Sequence, residues 1–234
     1  MLSKEDKRCL VVGIGNPLRS DDGVGPCIVH KIEEKNIPGV NTPDLIARSL
    51  GRYGLLAMFS RVGTRVLDFP CGSGYAADFL GKFGVIYEGR EFDKATVEYA
   101  DNVYGNKTST FKFGDLCHPD LSANEYDLIG CIDGLEHIDK QFQKPLIKTL
   151  SKSLKKGGVM IVSSPENTSG KSGHSKNNPY HKWELTKEDF LKLLHSSFSP
   201  ANVELVTYQA VLSYGAQLTT CFFGICHKEY EKEK

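Results

Sequence analysis

The stretch Arg65-Val66-Leu67-Asp68-Phe69-Pro70-Cys71-Gly72-Ser73-Gly74-Tyr75 decides the fold. It begins with a short apolar run of the kind that forms a buried parallel strand, and Asp68 closes that run. A glycine-rich turn follows, and the apolar residues after it are spaced as in a helix. This order brings backbone N–H groups and the positive end of a helix dipole to one point, which suits a polar or negatively charged ligand. Gly72 and Gly74 lack a Cβ, so a ligand is expected to approach the backbone there.

A glycine-rich turn alone also fits a tight strand-to-helix connection that binds no ligand. The end of the next strand helps to distinguish the two interpretations. A second apolar run, residues 84–89, ends at Arg90 and Glu91. In a nucleotide-binding βαβ unit, an acidic residue at the end of the second strand binds the ribose hydroxyls. The spacing therefore predicts Glu91 as a ribose ligand. The alternative is an ordinary solvated carboxylate at a strand end.

The opening stretch resembles the first motif of class I S-adenosylmethionine-dependent methyltransferases. Later segments resemble that family's other motifs in the same order: Glu91, then Phe113-Gly114-Asp115-Leu116, then residues 126–138 with the ending Leu135-Glu136-His137, then residues 154–162. One position departs from the family pattern, because Pro70 stands where the family usually has the first glycine of the turn. Proline has no N–H to donate. We expect the loop to survive because the two later glycines remain.

The resemblance implies S-adenosylmethionine as the cofactor and assigns it a set of binding residues. In the family, the acid after the third strand usually meets the adenine amino group, which is the expectation for Asp115. A helix before the first strand lies across the cofactor mouth in the family, so Arg52 or Tyr53 is expected to touch the methionine carboxylate. The alternatives are that Arg52 is a surface cation and that Tyr53 is a packing residue. The predicted cofactor-binding residues are Arg52, Asp68, Cys71, Gly72, Gly74, Glu91, Asp115, Leu116 and Asp133.

Three side chains are predicted to face the methyl group or its acceptor. Asp133 and His137 follow the fourth strand, and ligands of open α/β sheets lie beyond the carboxyl ends of the strands. His181 ends a long polar loop that resembles the lid of methyltransferases from saccharide and small-molecule pathways. An imidazole near neutrality can take a proton from an acceptor hydroxyl. Structural roles are the alternative for all three, including packing of His181 against Trp183. No metal is expected.

The N-terminal segment resembles a different family. Residues 9–36, with Gly13-Ile14-Gly15-Asn16-Pro17 and Asp21-Asp22-Gly23, are similar to the opening of the hydrogenase maturation endopeptidases. In that family the second acid of the pair is a metal ligand, so Asp22 would occupy a nickel position. One carboxylate cannot hold nickel by itself. We therefore interpret residues 1–40 as a β–α appendage without protease activity, separate from a methyltransferase domain at 41–234.

Composition limits the function classes. The 234 residues carry 29 basic and 29 acidic side chains, which argues against a general electrostatic nucleic-acid binder. No long apolar span is present in the sequence, so the expectation is a soluble cytoplasmic protein without a membrane partner. The seven cysteines form no Cys-x-x-Cys pair and fall mostly in apolar runs, so buried reduced thiols are expected.

The sequence therefore predicts a doubly wound α/β sheet of about seven strands with an antiparallel last strand, preceded by the β–α appendage. The predicted function is methyl transfer from S-adenosylmethionine to a small-molecule or saccharide acceptor. Oxygen is favoured as the accepting atom, from the lid resemblance alone. Two alternatives remain open: a nickel-dependent maturation peptidase, and a cofactor-binding module without catalysis.

Overall fold

The computed structural model describes residues 43–167, 169–176, 178–211 and 218–229. The predicted N-terminal β–α appendage and Asp22 lie outside these described residues. The described helices are α1 (Pro43–Phe59), α2 (Ala76–Gly81), α3 (Lys94–Tyr104), α4 (Lys140–Ser153) and α5 (Lys187–His195), with 3-10 turns at Leu135–His137 and Pro200–Asn202. The strands are β1 (Arg65–Asp68), β2 (Ile86–Glu91), β3 (Ser109–Phe113), β4 (Tyr126–Cys131), β5 (Leu154–Pro165), β6 (Val203–Val211) and β7 (Leu218–His227).

The seven described strands form one sheet in the order β3-β2-β1-β4-β5-β7-β6. The first five run parallel, and β7 pairs antiparallel with both β5 and β6. This arrangement confirms the predicted doubly wound sheet with an antiparallel last strand. The chain order reverses between β1 and β4, which creates a crevice at the carboxyl ends of these two strands.

Helices cover both faces of the sheet because neighbouring strand residues point to opposite sides. Val66 and Leu128 face a core that they share with Leu56 of α1 and Leu80 of α2. Their neighbours on the strands, including Leu67 and Ile129, face a second core built with Leu146, Ile147, Phe190 and Leu194 of α4 and α5. Residues at the ends of β1 and β4 are thus held from both sides.

The structure differs from the sequence-based expectation at the start of β5. The spacing of apolar residues and lysines predicts an amphipathic helix over residues 140–156, but α4 ends at Ser153 and Leu154 already belongs to the strand. Lys155 pairs with Asp127 of β4, with Nζ 2.9 Å from Oδ1, and Gly157 takes a positive φ of 74°. Pairing with β4 therefore overrides helix propensity in these residues.

Thr186 caps the N-terminus of α5, since its Oγ1 accepts from the Asp189 backbone N–H at 3.3 Å. The five cysteines in the described ranges are free thiols. Within the same ranges, no helix combines the length and the apolar character that crossing a membrane requires.

Candidate functional site

A cleft of about 590 Å³ opens at the carboxyl ends of the parallel strands. That volume lies in the usual range for a site that binds a small molecule or cofactor. Gly72, Glu91 and Asp115 line one half of it, and Asp133 and His181 line the other. The predicted cofactor residues and the predicted acceptor residues therefore meet in one continuous space.

The two glycines of the first turn have different surroundings. Gly72 has a φ of 55°, lines the cleft, and donates its N–H to Glu91 Oε2 at 3.2 Å. Gly74 has a φ of 82° and is buried beneath the turn, where an added Cβ would lie 2.6 Å from the Phe111 ring and 2.7 Å from Ala100 Cβ. The predicted backbone approach by a ligand fits Gly72, whereas Gly74 serves helix and strand packing.

Asp68 lies under the turn and is completely buried. Its carboxylate accepts from the Tyr87 hydroxyl at 2.6 Å and from the Tyr53 hydroxyl at 3.3 Å. Burial raises the pKa of Asp68 to about 7, although both tyrosine hydrogen bonds act to lower it. These contacts anchor α1 and β2 to the end of β1. Asp68 lies behind the cleft wall, whereas Tyr53 itself lines the cleft.

Glu91 closes β2 and has only 3% of its surface exposed. Besides Gly72, the backbone N–H groups of Phe92 and Asp93 donate to its Oε1, at 2.9 and 3.2 Å. These bonds hold the carboxylate at the edge of the cleft in one orientation. A fixed acceptor at this place is what a ribose diol requires.

Asp115 follows β3, the strand that pairs with β2, and lines the cleft together with Glu91. Its Oδ1 accepts from the Cys117 N–H at 2.8 Å, and its Oδ2 lies 2.9 Å from His118 Nδ1. Burial would raise the pKa of Asp115, but the hydrogen bonds from His118 and Cys117 hold it below its usual value. Leu116, the next residue, contributes an apolar wall to the same end of the cleft.

Asp133 occupies a left-handed backbone conformation with φ of 49°, directly after β4. Ser163 of β5 donates from Oγ to Asp133 Oδ1 at 2.7 Å and accepts from the Asp133 N–H at 2.8 Å. The other carboxylate oxygen forms an ion pair with Arg52 of α1. Arg52 is therefore held on the cleft wall and is not a simple surface cation.

Pro70 lines the cleft where the resembled family has glycine. Gly134 makes room for it, because a Cβ added at Gly134 would lie only 2.5 Å from Pro70 Cδ. The proline ring thus packs on the bare backbone after Asp133, and the turn keeps its form.

The half of the cleft that Asp133 and His181 line also contains a Glu-His-His group. The rings of His137 and His181 meet edge to face with centroids 5.1 Å apart. Glu136 is 2% exposed, and its Oε2 has no hydrogen-bond partner in the described structure. Burial raises the pKa of Glu136 to about 8, opposed by its own backbone N–H and by the charge of Arg52.

His181 has its own supporting residues, which sequence reasoning did not assign. Its Nδ1 lies 2.6 Å from Glu184 Oε1, and its Nε2 lies 2.9 Å from Asn178 Nδ2. Sequence reasoning also left Glu136, Ser163, Asn178 and Glu184 out of the predicted site. The dense polar sequence Asn178-Pro179-Tyr180-His181 was the available signal for this part of the site.

The structure brings most of the predicted site residues to the cleft wall. Those that line it are Arg52, Cys71, Gly72, Glu91, Asp115, Leu116, Asp133, His137 and His181. Asp68 and Gly74 lie beneath it. The individual roles of these residues toward a cofactor or acceptor stay predictions.

Comparison with known proteins gives one family. A family model described as a methyltransferase domain matches residues 42–204. A probable S-adenosylmethionine-dependent methyltransferase of Mycolicibacterium smegmatis is 28% identical over 136 residues, which cover 58% of this chain and 51% of that protein. A ubiquinone biosynthesis O-methyltransferase of Vibrio cholerae is 28% identical over 104 residues, which cover 43% of this chain and 42% of that protein. The chain spans about half the length of the curated relatives it matches.

Solved structures with the same fold include the YcgJ protein of Bacillus subtilis, with a TM-score of 0.62 and 14% identity over 77% of this chain and 99% of that one. Another is phosphoethanolamine N-methyltransferase 2 of Haemonchus contortus, in complex with S-adenosylmethionine. It has a TM-score of 0.62 and 14% identity over 77% of this chain and 53% of that one. At these identities the likeness concerns the fold. The family match begins after residues 9–36, whose resemblance to a maturation peptidase stays a prediction.

Proposed function

The chain belongs to the methyltransferase-domain family of S-adenosylmethionine-dependent enzymes, and on that premise we propose that it methylates an oxygen of a small-molecule or saccharide acceptor. The observation that carries the proposal is that Gly72, Glu91 and Asp115 line the same cleft as Asp133, His137 and His181. Methyl transfer needs the cofactor and the acceptor in the same space, because alignment of the reacting atoms supplies much of the rate enhancement.

The cleft fits S-adenosylmethionine in its donor set. Gly72 offers a wall without a side chain, Glu91 offers a fixed carboxylate for the ribose, and Asp115 offers an acceptor for the adenine amino group. Arg52 is the predicted partner of the methionine carboxylate. When bound, the cofactor supplies an electrophilic methyl group on a sulfonium.

Oxygen is the proposed accepting atom because the acceptor half of the cleft has imidazoles that can take a proton. A hydroxyl loses its proton as it attacks a methyl carbon, so a nearby base lowers the barrier. His181 has Glu184 on Nδ1, and this contact orients the ring of His181, which lines the cleft. The Vibrio cholerae relative is named as an O-methyltransferase, which agrees with oxygen as the accepting atom.

Cofactor binding is tested by a thermal melt with S-adenosylhomocysteine. At one hundred times its Kd, a ligand stabilises the folded state by about 2.7 kcal/mol. For a chain of this size we expect Tm to rise by roughly 5–10 °C. Glu91→Gln and Asp115→Asn should each shrink the rise, whereas Glu98→Gln on the exposed surface of α3 should leave it unchanged. No rise at saturating ligand would contradict cofactor binding at this cleft.

The acceptor is tested by following release of S-adenosylhomocysteine with matched acceptors. We expect turnover with phenols, catechols or sugars, and at least tenfold less with the corresponding amines. His181→Gln should lower kcat more than it raises KM for a hydroxyl acceptor. Turnover confined to amines would overturn the oxygen assignment while leaving methyl transfer intact, and cofactor binding without turnover would favour a non-catalytic module.

A further inference from the structure

We propose that Glu136, His137 and His181 form a binding site for one divalent transition-metal ion of the Zn²⁺ type. One ligand atom from each of these three residues lies within 4.8 Å of the other two. Two imidazole nitrogens and one carboxylate oxygen are a donor set that suits Zn²⁺ and its first-row neighbours better than Mg²⁺ or Ca²⁺. The proposal goes beyond the methyltransferase assignment and replaces the sequence-based expectation of no metal. With an ion on its Nε2, His181 would be a ligand, and the ion would take over from the imidazole in helping an acceptor hydroxyl lose its proton.

The buried carboxylate of Glu136 points to a missing cation. Its Oε2 is shielded from solvent and has no hydrogen-bond partner among the described residues. A buried polar atom without a partner costs free energy, so such an atom in a cleft wall indicates a ligand. Arg52 lies near enough to act on Glu136 electrostatically, but its guanidinium is paired with Asp133. A metal ion would satisfy the unpartnered oxygen.

His181 is arranged as a metal ligand usually is. Its Nδ1 lies 2.6 Å from the carboxylate of Glu184, which is itself 7% exposed. A metal-binding histidine commonly donates its second ring N–H to a carboxylate, and this bond fixes the ring and the tautomer. With Nδ1–H donated to Glu184, Nε2 carries the lone pair. Asn178 Nδ2 lies 2.9 Å from that nitrogen, so Asn178 has to turn away when a metal binds.

The backbone holds the two halves of the site together. The N–H groups of Lys182 and Trp183 both donate to the Glu136 carbonyl, at 2.6 and 3.2 Å. The two residues that follow His181 are therefore fixed to the turn that carries Glu136 and His137. In a tetrahedral site with metal–ligand bonds of about 2.1 Å, the ligand atoms lie about 3.4 Å from one another. Starting from separations within 4.8 Å, side-chain rotations that move the ligand atoms by about 1 Å complete the coordination.

The three ligands line the cleft, so the remaining coordination position faces its interior. Three protein ligands with one open position are the pattern of a catalytic zinc site, whereas structural sites are closed by four. An oxygen donor entering the cleft would therefore reach the ion.

The test is titration of the full metal-free chain with ZnCl₂ by calorimetry, repeated with CoCl₂ and followed by visible absorption. We expect one ion per chain and the absorption of tetrahedral Co²⁺. Glu136→Gln and His181→Gln should each weaken binding by at least tenfold. His174→Gln is the matched control, because this exposed histidine lies in the same loop but outside the ligand set. It should bind as the parent does.

Two results would overturn the proposal: no binding at millimolar ZnCl₂, or binding that Glu136→Gln and His181→Gln leave unchanged. The S-adenosylhomocysteine melt, run on each variant, confirms that the variant is folded. Because the titration uses neither cofactor nor acceptor, its failure would not touch the proposed methyl transfer, and a failed melt would not touch the metal site.

Discussion

Gly72 and Gly74 are two residues apart in one turn, yet the fold uses them for different purposes. Gly72 lines the cleft, and its N–H holds Glu91. Gly74 lies against Phe111 and Ala100, where a methyl group does not fit. Sequence reasoning assigned both to ligand approach, because a glycine pattern identifies a turn without showing which side each residue faces. The same limit applies to Asp68, whose place at the strand end is the predicted one but whose partners are tyrosines.

At the residue scale, Gly74→Ala should destabilise the protein more than Gly63→Ala. Both glycines have a φ near 80°, but an added Cβ at Gly63 meets nothing within 4 Å. Backbone strain alone costs about 1–2 kcal/mol. Overpacking at Gly74 should add about 1–3 kcal/mol. Urea unfolding of both variants measures the difference, and equal losses would show that the contacts with Phe111 and Ala100 do not limit this position.

At the scale of elements, the segment 178–185 and the 3-10 turn Leu135–His137 form one unit. Gln143 of α4 is 2% exposed and donates from Nε2 to the carbonyls of Leu135 and Trp183, at 2.8 and 3.0 Å. It therefore joins the turn after β4 to a loop that follows β5. The sequence over 164–182 is polar and indicates a loop but not this attachment, because the bond from Gln143 to Trp183 joins residues 40 positions apart.

Gln143→Leu should loosen that unit. The substitution removes the donor to two buried carbonyls, which costs about 1–3 kcal/mol. Hydrogen exchange of the Lys182 and Trp183 amides, which donate to Glu136, should become faster. Gln141→Leu, on the exposed side of the same helix, is the control and should leave exchange of these amides unchanged. Equal exchange rates in the two variants would show that Gln143 does not hold the segment.

At the scale of the whole molecule, one carboxylate at the centre of the sheet links stability to pH. Asp68 is held between α1 and β2 in a completely buried position, and burial raises its pKa from 3.8 to about 7. The protonated form is therefore favoured in the folded state. Its contribution to the free energy of unfolding is fully present below about pH 4 and is lost as the pH rises through about 7.

Asp68→Asn should remove this dependence. Between pH 4 and pH 8, we expect the free energy of unfolding of the parent to fall relative to that of the variant by up to about 4 kcal/mol. Urea unfolding at several pH values measures the difference, and Asp78→Asn on the exposed side of α2 serves as the control. A difference between parent and Asp68→Asn that stays constant with pH would contradict the raised pKa.

The amino-acid sequence by itself determined the fold class and the order of the strand-end acids along the chain, and the resemblance of its motifs to a methyltransferase family implied the cofactor. The sequence shows apolar runs of strand length, a glycine turn and acids at strand ends. These are local patterns, because each involves residues that are neighbours in the chain. They placed Glu91, Asp115 and Asp133 at the strand ends, and the parallel sheet then brings those ends to one edge. The domain boundary near residue 40 is also a sequence-based prediction. The family match begins two residues beyond it, at residue 42.

Only the tertiary structure decided which side chains meet. His137 and His181 lie 44 positions apart in the chain and come together because backbone hydrogen bonds attach the later loop to the Glu136 carbonyl. The ion pair of Arg52 with Asp133, and the space that Gly134 leaves for Pro70, likewise depend on how α1, β1 and β4 pack against one another. Such contacts arise from the three-dimensional packing of distant segments, for which a single sequence carries no local pattern.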